Sequence, residues 1–276
     1  MSTADGLGGI ERWTEQWGVG FAAAALVGPA GIVSARGDTG HQVRLASVTK
    51  PLVAVAMLIA VEEGTLRLDD PCGPPGSTVR HLLAHAGGYG FSGDRVLAVP
   101  GTRRIYSNTG FERLGEALEA ASGMHVADYL GQAVFEPLGM ESSALRGSPA
   151  KDVWSTVGDL ARFARELLRP TLLATETFAA FTTTQFPTLA GVLPDVGRFA
   201  PNPWGLGVEI RATKEPHWTG RTNSPDTFGH FGGTGTFLWV DPRVDRALVC
   251  LTDREFGPWA LSAWPALSDA ALASDR

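Results

Sequence analysis

The sequence predicts an α+β fold: an antiparallel sheet flanked by helices, with an all-helical lobe inserted between its N-terminal and C-terminal strands. Three observations carry this expectation. Apolar strand-like runs bounded by turn residues lie at both ends of the chain, helical periodicities crowd its middle, and an unbroken apolar run at 52–61 suits a buried helix.

In chain order, residues 10–17 predict a short amphipathic helix. The run 21–27, the turn Gly28-Pro29-Ala30-Gly31 and the segment 32–35 predict two hairpin strands. Glu62-Glu63-Gly64 ends the apolar run. Pro51, tolerated only where its missing N–H has no helical partner, sets the start of that helix near Ser47. Helical patterns follow at 79–85, 111–121, 125–135 and 157–168, separated by Gly/Pro-rich loops, and 182–203 reads as irregular. Strand patterns return at 205–210, 236–240 and 247–252, Asp241-Pro242 turns the last pair, and 259–273 closes the chain as a helix. The expected division is a sheet lobe from 1–65 and 203–276 around a helical lobe from 66–202.

Composition narrows the function. At 276 residues, 44% hydrophobic and 19% charged, the chain is an ordinary globular one. A net charge of −6 with no Lys/Arg cluster argues against nucleic acid as a partner. Cys72 and Cys250 are too distant to form a disulfide framework, and 21–27 is too short to span a membrane, so no membrane partner is expected. The first residues lack a basic leader region, which gives a cytoplasmic expectation; oligomeric state is left open.

No cofactor and no metal are expected. His81 and His85 have an i, i+4 metal spacing, but no Glu lies between them and no third ligand is near, so they read as buried, hydrogen-bonded histidines. The stretch Gly88-Tyr89-Gly90-Phe91-Ser92-Gly93 matches a dinucleotide pattern yet follows a helix, and therefore reads as a loop. No serine lies in Gly-x-Ser-x-Gly, which excludes the nucleophile elbow of α/β-hydrolases.

Ser47-Val48-Thr49-Lys50 places a hydroxyl nucleophile and a potential base on one face at a helix start. The positive helix end favours negative charge developing there, and burial disfavours a charged Lys50. Only three of 23 basic residues are lysines, and an arginine could not give up its proton. A second copy, Ser148-Pro149-Ala150-Lys151, sits in a polar loop and is expected only to cap a short helix. Tyr106-Ser107-Asn108 precedes Thr109-Gly110-Phe111-Glu112, which reads as a capping box. A phenol beside a lysine can be held as phenolate and an Asn amide can bond both substrate and lysine; the same pair also reads as an aromatic anchor and a cap. In Gly229-His230-Phe231-Gly232-Gly233-Thr234-Gly235, Gly233 could donate its N–H to a carbonyl oxygen, or the stretch could be a flexible turn. Trp204, Phe91, Tyr89 and Phe231 are candidates for an aromatic cleft or for core.

Together these three segments resemble the serine β-lactamase and penicillin-binding-protein-like superfamily, closest to its class C β-lactamase and family VIII esterase branch. Further stretches, among them 44–51, 81–87, 137–140 and 204–207, look like family landmarks, so the resemblance covers most of 21–252. It implies an active site between two lobes. There Ser47 would be acylated, Lys50 would shuttle the proton, and Tyr106 would be the general base that later protonates the leaving group. Asn108, His230 and Gly232 would bind or orient the substrate, and the N–H groups of Ser47 and Gly233 would form the oxyanion hole. His230 stands where β-lactamases carry a lysine that helps anchor a carboxylate, and neutral histidine gives no such anchor. The expected activity is therefore serine-hydrolase cleavage of small-molecule esters or amides. The alternatives are β-lactamase or D-aminopeptidase/DD-peptidase-like activity, or a catalytically weak binding module.

Overall fold

Strands from 22–36 and from 209–252 meet in one antiparallel sheet, as expected from the two ends of the sequence. The computed structural model describes residue 7 and residues 10–273. Helix α1 (Ile10–Trp17) leads into the hairpin β1 (Ala22–Gly28) and β2 (Gly31–Arg36). The short β3 (Val43–Arg44) precedes a 3₁₀ turn, Ala46–Val48, that runs directly into α2 (Thr49–Glu62). Next come α3 (Val79–Leu83), β4 (Arg104–Ile105), α4 (Asn108–Ser122) and α5 (Val126–Leu130), which passes through a π-helical turn into α6 (Glu136–Leu138). After β5 (Ala144–Leu145) and β6 (Val153–Ser155) come α7 (Val157–Leu168) and α8 (Thr175–Thr182). The last part holds β7 (Gly191–Leu193), β8 (Gly197–Phe199), β9 (Glu209–Ile210), β10 (Phe228–Gly232), β11 (Thr236–Asp241), β12 (Arg246–Thr252) and α9 (Pro258–Ala273).

The six-stranded sheet has the order β2-β1-β12-β11-β10-β9, with antiparallel neighbours throughout. Successive side chains of a strand point to opposite faces, and here both faces are covered. Ala23, Ala25, Val27, Leu238, Val249 and Leu251 join the core that holds α2 and α7. Ala22, Ala24, Leu26, Phe237, Trp239 and Leu248 join a second core with Trp17 and the α9 residues Trp264 and Leu267. That is why β1, β11 and β12 read as continuous apolar runs rather than as alternating ones. Helix α2 is enclosed in the same way: 11 of its 14 residues are buried, so it has no polar face.

Several elements differ from expectation, each for a local reason. Residues 228–232 form a strand, because the register of Phe228 to Gly232 against Val240 to Thr236 holds the glycines in extended pairing. The strand expected over 205–210 shortens to β9, since Gly207 has φ +94° and lies so close to α2 that a Cβ would strike Ala54. The irregular stretch contains β7 and β8, and β7 pairs in parallel with β4. Helix α4 starts at Asn108 with Ser107 as its cap, accepting from the Gly110 N–H, so the expected Thr109 box is not the one used. Residues 148–151 make a turn without a helix. The helical lobe is not all-helical either, since 66–202 also carries β4 to β8. Within that segment α7 packs against β1, β12 and β11, so a boundary drawn at 66–202 has to return α7 to the sheet side. Cys72 and Cys250 are free and buried, and among the described residues no helix is long and apolar enough to cross a membrane.

Leu160 is fully buried on α7 and provides a test of this layer. Leu160→Ala is expected to destabilise the fold by about 3 kcal/mol, while Val244→Ala, at an exposed position, stays within about 0.5 kcal/mol. Urea unfolding measures both; equal small effects would contradict the packing of α7 on the sheet.

Candidate active site

The segment before Ser47 is clamped from two sides. Leu45 donates its N–H to Val153 O at 2.8 Å on β6, and its own carbonyl accepts from Thr236 Oγ1 at 2.7 Å on β11. Thr234 Oγ1 holds Arg44 O at 2.8 Å. Gly232 lies against Leu45 O so tightly that a Cβ would clash with that carbonyl. Its glycine therefore serves this approach of β10, and it does not line the cleft. Under this clamp Ala46 takes φ +46°, a left-handed conformation that a non-glycine residue holds only when its surroundings enforce it.

Ser47 then opens the helix with its Oγ between two groups. The Tyr106 hydroxyl donates to it at 2.7 Å, and Lys50 Nζ lies 3.3 Å away. Lys50 is fully buried, with Nζ donating to Asn108 Oδ1 at 2.7 Å and to Ala150 O at 2.8 Å, and it lies 4.7 Å from the centre of the Tyr106 ring. Ala150 belongs to the second Ser-x-x-Lys copy, read from sequence as mere decoration. Its turn is held by the Ser148 hydroxyl, which accepts from Ala150 N and donates to Glu112. Asn108 sits in the first turn of α4 and is placed by its N–H bond to Phe91 O.

Burial sets the protonation states. It drives Lys50 well below the usual lysine range; Glu112 opposes this and Lys151 adds to it. In its neutral form the amine has two N–H donors, enough for Asn108 Oδ1 and Ala150 O, which leaves its lone pair for the Ser47 hydroxyl. Tyr106 shifts the other way: burial raises its pKa above the ordinary phenol value, and the hydrogen bond to Ser47 offsets only part of this. Of the two readings the sequence left open, desolvation therefore disfavours the phenolate.

His230 is buried and its pKa is pushed down to about 3, by desolvation first and by the neighbouring Lys50 second. Its Nδ1 lies 2.7 Å from Phe231 O, and a carbonyl only accepts, so the proton sits on Nδ1 and Nε2 is an acceptor with no protein partner. Behind Tyr106 stands an aromatic wall that sequence reasoning did not assemble: His85 at 4.5 Å from the Tyr106 ring, Trp204 at 5.8 Å and His230 at 5.7 Å. His85 accepts from Ser107 N–H through Nδ1 and has φ +54°. His81 instead bonds Thr78 and stacks on Phe186, so the pair does not converge as a metal site would. Among the described residues no group of three or more His, Cys, Asp or Glu is placed to hold a metal ion.

Ser47, Tyr106, His230 and Gly233 line one cleft of about 370 Å³, walled by Phe91 and Phe231. Trp204 is buried beneath it and Tyr89 belongs to the main core. The rim carries Asp195 and Glu255, while Arg44, also on the rim, is engaged by Asp152 at 3.2 Å.

The beta-lactamase family model matches residues 11–272. The chain belongs to the beta-lactamase family. Its fold superposes on a solved structure described as a beta-lactamase (Mb2281c) from Mycobacterium bovis, with a TM-score of 0.93 and 55% identity over 96% of this chain and 98% of that one. A D-alanyl-D-alanine carboxypeptidase/endopeptidase of Escherichia coli (strain K12) is 24% identical over 76% of this chain and 70% of its own length. A penicillin-binding protein of Bacillus subtilis (strain 168) is 30% identical over 38% of this chain, and the match spans only 31% of that protein. The family is one of serine hydrolases with the beta-lactamase fold, and the α+β architecture described above is that fold.

The protonation state of Lys50 has a consequence for stability. An unfolded chain keeps this lysine protonated up to about pH 10.4, whereas burial favours the neutral form in the folded protein, so folding releases a proton and stability rises with pH. Urea unfolding between about pH 6 and 9 is expected to show a steeper rise in the wild type than in Lys50→Met. Parallel slopes would mean that Lys50 stays protonated in the fold.

Proposed function

We propose that this chain is a serine hydrolase that cleaves small-molecule esters, and more slowly amides, through an acyl-enzyme on Ser47. The observation that supports this most strongly is the placement of Ser47 Oγ between a neutral phenol at 2.7 Å and a fully buried lysine at 3.3 Å. In this reading Ser47 attacks the substrate carbonyl while its proton passes to the Lys50 amine. The oxyanion that forms is met by the N–H groups of Ser47 and Gly233. As the carbon–oxygen bond to the alcohol breaks, Tyr106 gives its proton to the leaving oxygen and recovers one from Lys50, so the lysine is neutral again. Water then attacks the acyl-enzyme by the same route in reverse, releasing the acid and restoring the Ser47 hydroxyl. Asn108 holds Lys50 in line throughout.

The ester preference rests on charge. Histidine at 230 is neutral, Asp195 and Glu255 sit on the rim, and the Arg44 guanidinium is engaged by Asp152. Among the described residues no free cation in this cleft is dedicated to the carboxylate that a penicillin or a D-alanyl peptide would bring. A protein acting in the cytoplasm would meet esters rather than peptidoglycan, and this proposal assumes that setting. One observation favours β-lactam hydrolysis as a second reading: the 55% identity to a protein described as a beta-lactamase, over nearly the whole of both chains.

Intact-mass measurement after incubation with p-nitrophenyl butyrate and with nitrocefin separates the two readings. The expected result is a butyryl adduct and ester turnover that both disappear in Ser47→Ala; turnover that survives in Ser47→Ala would reject the nucleophile. A nitrocefin adduct with faster turnover than the ester would favour the second reading. Lys50→Arg is expected to lower ester turnover by a factor on the order of 10² to 10⁴, because a guanidinium keeps its proton, and a fully active variant would remove Lys50 from the proton path.

A further inference from the structure

Among the described residues eight large hydrophobic side chains are strongly exposed, and five of them, Phe91, Val96, Leu97, Val99 and Val192, lie on the 91–99 loop and on β7. Scattered apolar side chains on a surface need no explanation, but three of these, Phe91, Leu97 and Val192, line one groove beside the cleft. Phe91, Leu97, Ile105, Val192 and Pro194 enclose an annex of about 320 Å³ that shares Phe91, Tyr106 and Pro194 with the Ser47 cleft. Its walls are built from hydrogen-bonded backbone. Leu97 N–H donates to Gly88 O at 2.8 Å, Gly90 N–H to Arg95 O at 2.9 Å, and Ile105 faces Val192 across the parallel β4–β7 pair. The Phe91 ring stacks on Tyr106 at 5.9 Å, and Phe91 O accepts the Asn108 N–H, so the annex wall is tied directly to the groups around Ser47. Arg104, which also lines the annex, turns its guanidinium into the carbonyls of Ala84, Gln185, Phe186 and Asn202, which leaves Arg103 as the exposed charge there.

We infer that this annex binds the aliphatic chain of a medium-length neutral ester while its carbonyl sits at Ser47, so that the substrate class is an apolar ester rather than a short or anionic one. The inference rests on the Ser47 reading and deepens it. It is carried by the continuity of an exposed apolar groove with the cleft: a surface that costs free energy when wet is covered whenever a chain of six to ten or so carbons occupies it.

Two substrate series test this and separate the possible sources of the chain: p-nitrophenyl esters from acetate to decanoate, and alkyl acetates from methyl to octyl. Each fully buried methylene strengthens binding by roughly fourfold, so incomplete burial along the groove still gives an expected rise in kcat/KM of at least about tenfold from the two-carbon to the eight-carbon member of one series. Leu97→Asp is expected to collapse that eight-to-two ratio by about tenfold, and the isosteric Val192→Thr to lower it in the same direction. Val244→Thr, far from the annex on the β11–β12 turn, should keep the wild-type ratio. Flat or falling profiles in both series overturn the annex while leaving the Ser47 adduct intact, whereas loss of all ester turnover with no adduct would overturn the Ser47 reading instead. Flat profiles together with reduced sedimentation of Leu97→Asp on phosphatidylcholine vesicles would assign the patch to a lipid surface and equally reject the inference.

Discussion

A lysine with no exposure to water, its nitrogen enclosed by three oxygens from separate parts of the chain, is the constraint on which the rest of the site depends. A charge taken out of water without compensation costs many kcal/mol, so an isolated buried ammonium either pairs or loses its proton. Among the described residues no carboxylate lies against the Lys50 nitrogen; Ser47, Asn108 and Ala150 surround it instead. That set satisfies a neutral amine, with two N–H groups donated and one lone pair left for the serine. An amine in this state needs no carboxylate partner.

The fold supplies what this arrangement requires. Helix α2 lies in the core between the sheet and the helices of the inserted segment, so a side chain in its first turn is dry by position. The partners arrive from elements that only the complete fold brings together: Tyr106 and Asn108 at the β4–α4 junction, Ala150 from the turn before β6, and Gly233 from the β10–β11 turn. Strain gathers at the same place. Ala46 and His85 both take left-handed backbone conformations beside Ser47 and Tyr106; the bonds to Arg44 and Leu45 fix the chain before the first, and bonds from Ile105 and Ser107 hold the second. Such conformations persist where surrounding structure over-determines them, which fits a site whose geometry is fixed before substrate arrives.

Much of this was legible in the sequence, and what was missed has definite causes. The buried helix, the hairpin and the strands expected over 236–240 and 247–252 follow from apolar runs and a proline position, whereas the convergence of Ser47, Lys50, Tyr106 and Asn108 was what the family resemblance implied. Strand β10 was hidden because its glycines read as a turn, although they are what lets β10 approach Leu45 and β11. The Ala150 carbonyl left no signal, since any residue supplies a backbone oxygen and only the fold aims it. His85 and Trp204 were noticed for other reasons; their stacking around Tyr106 joins segments about 20 and 100 residues away in sequence, which no local pattern reports. The phenolate that the sequence allowed at Tyr106 took no account of desolvation, which raises the phenol and lowers the lysine.

The chain has only three lysines, at 50, 151 and 214, so their side-chain amines can be followed individually by NMR in protein labelled at lysine. The most direct test of the account is the titration of the Lys50 amine in the folded protein. The account predicts a midpoint far below that of Lys151, with the amine largely neutral at the pH where the enzyme works. A Lys50 midpoint near the free-lysine value of about 10.4 would contradict it.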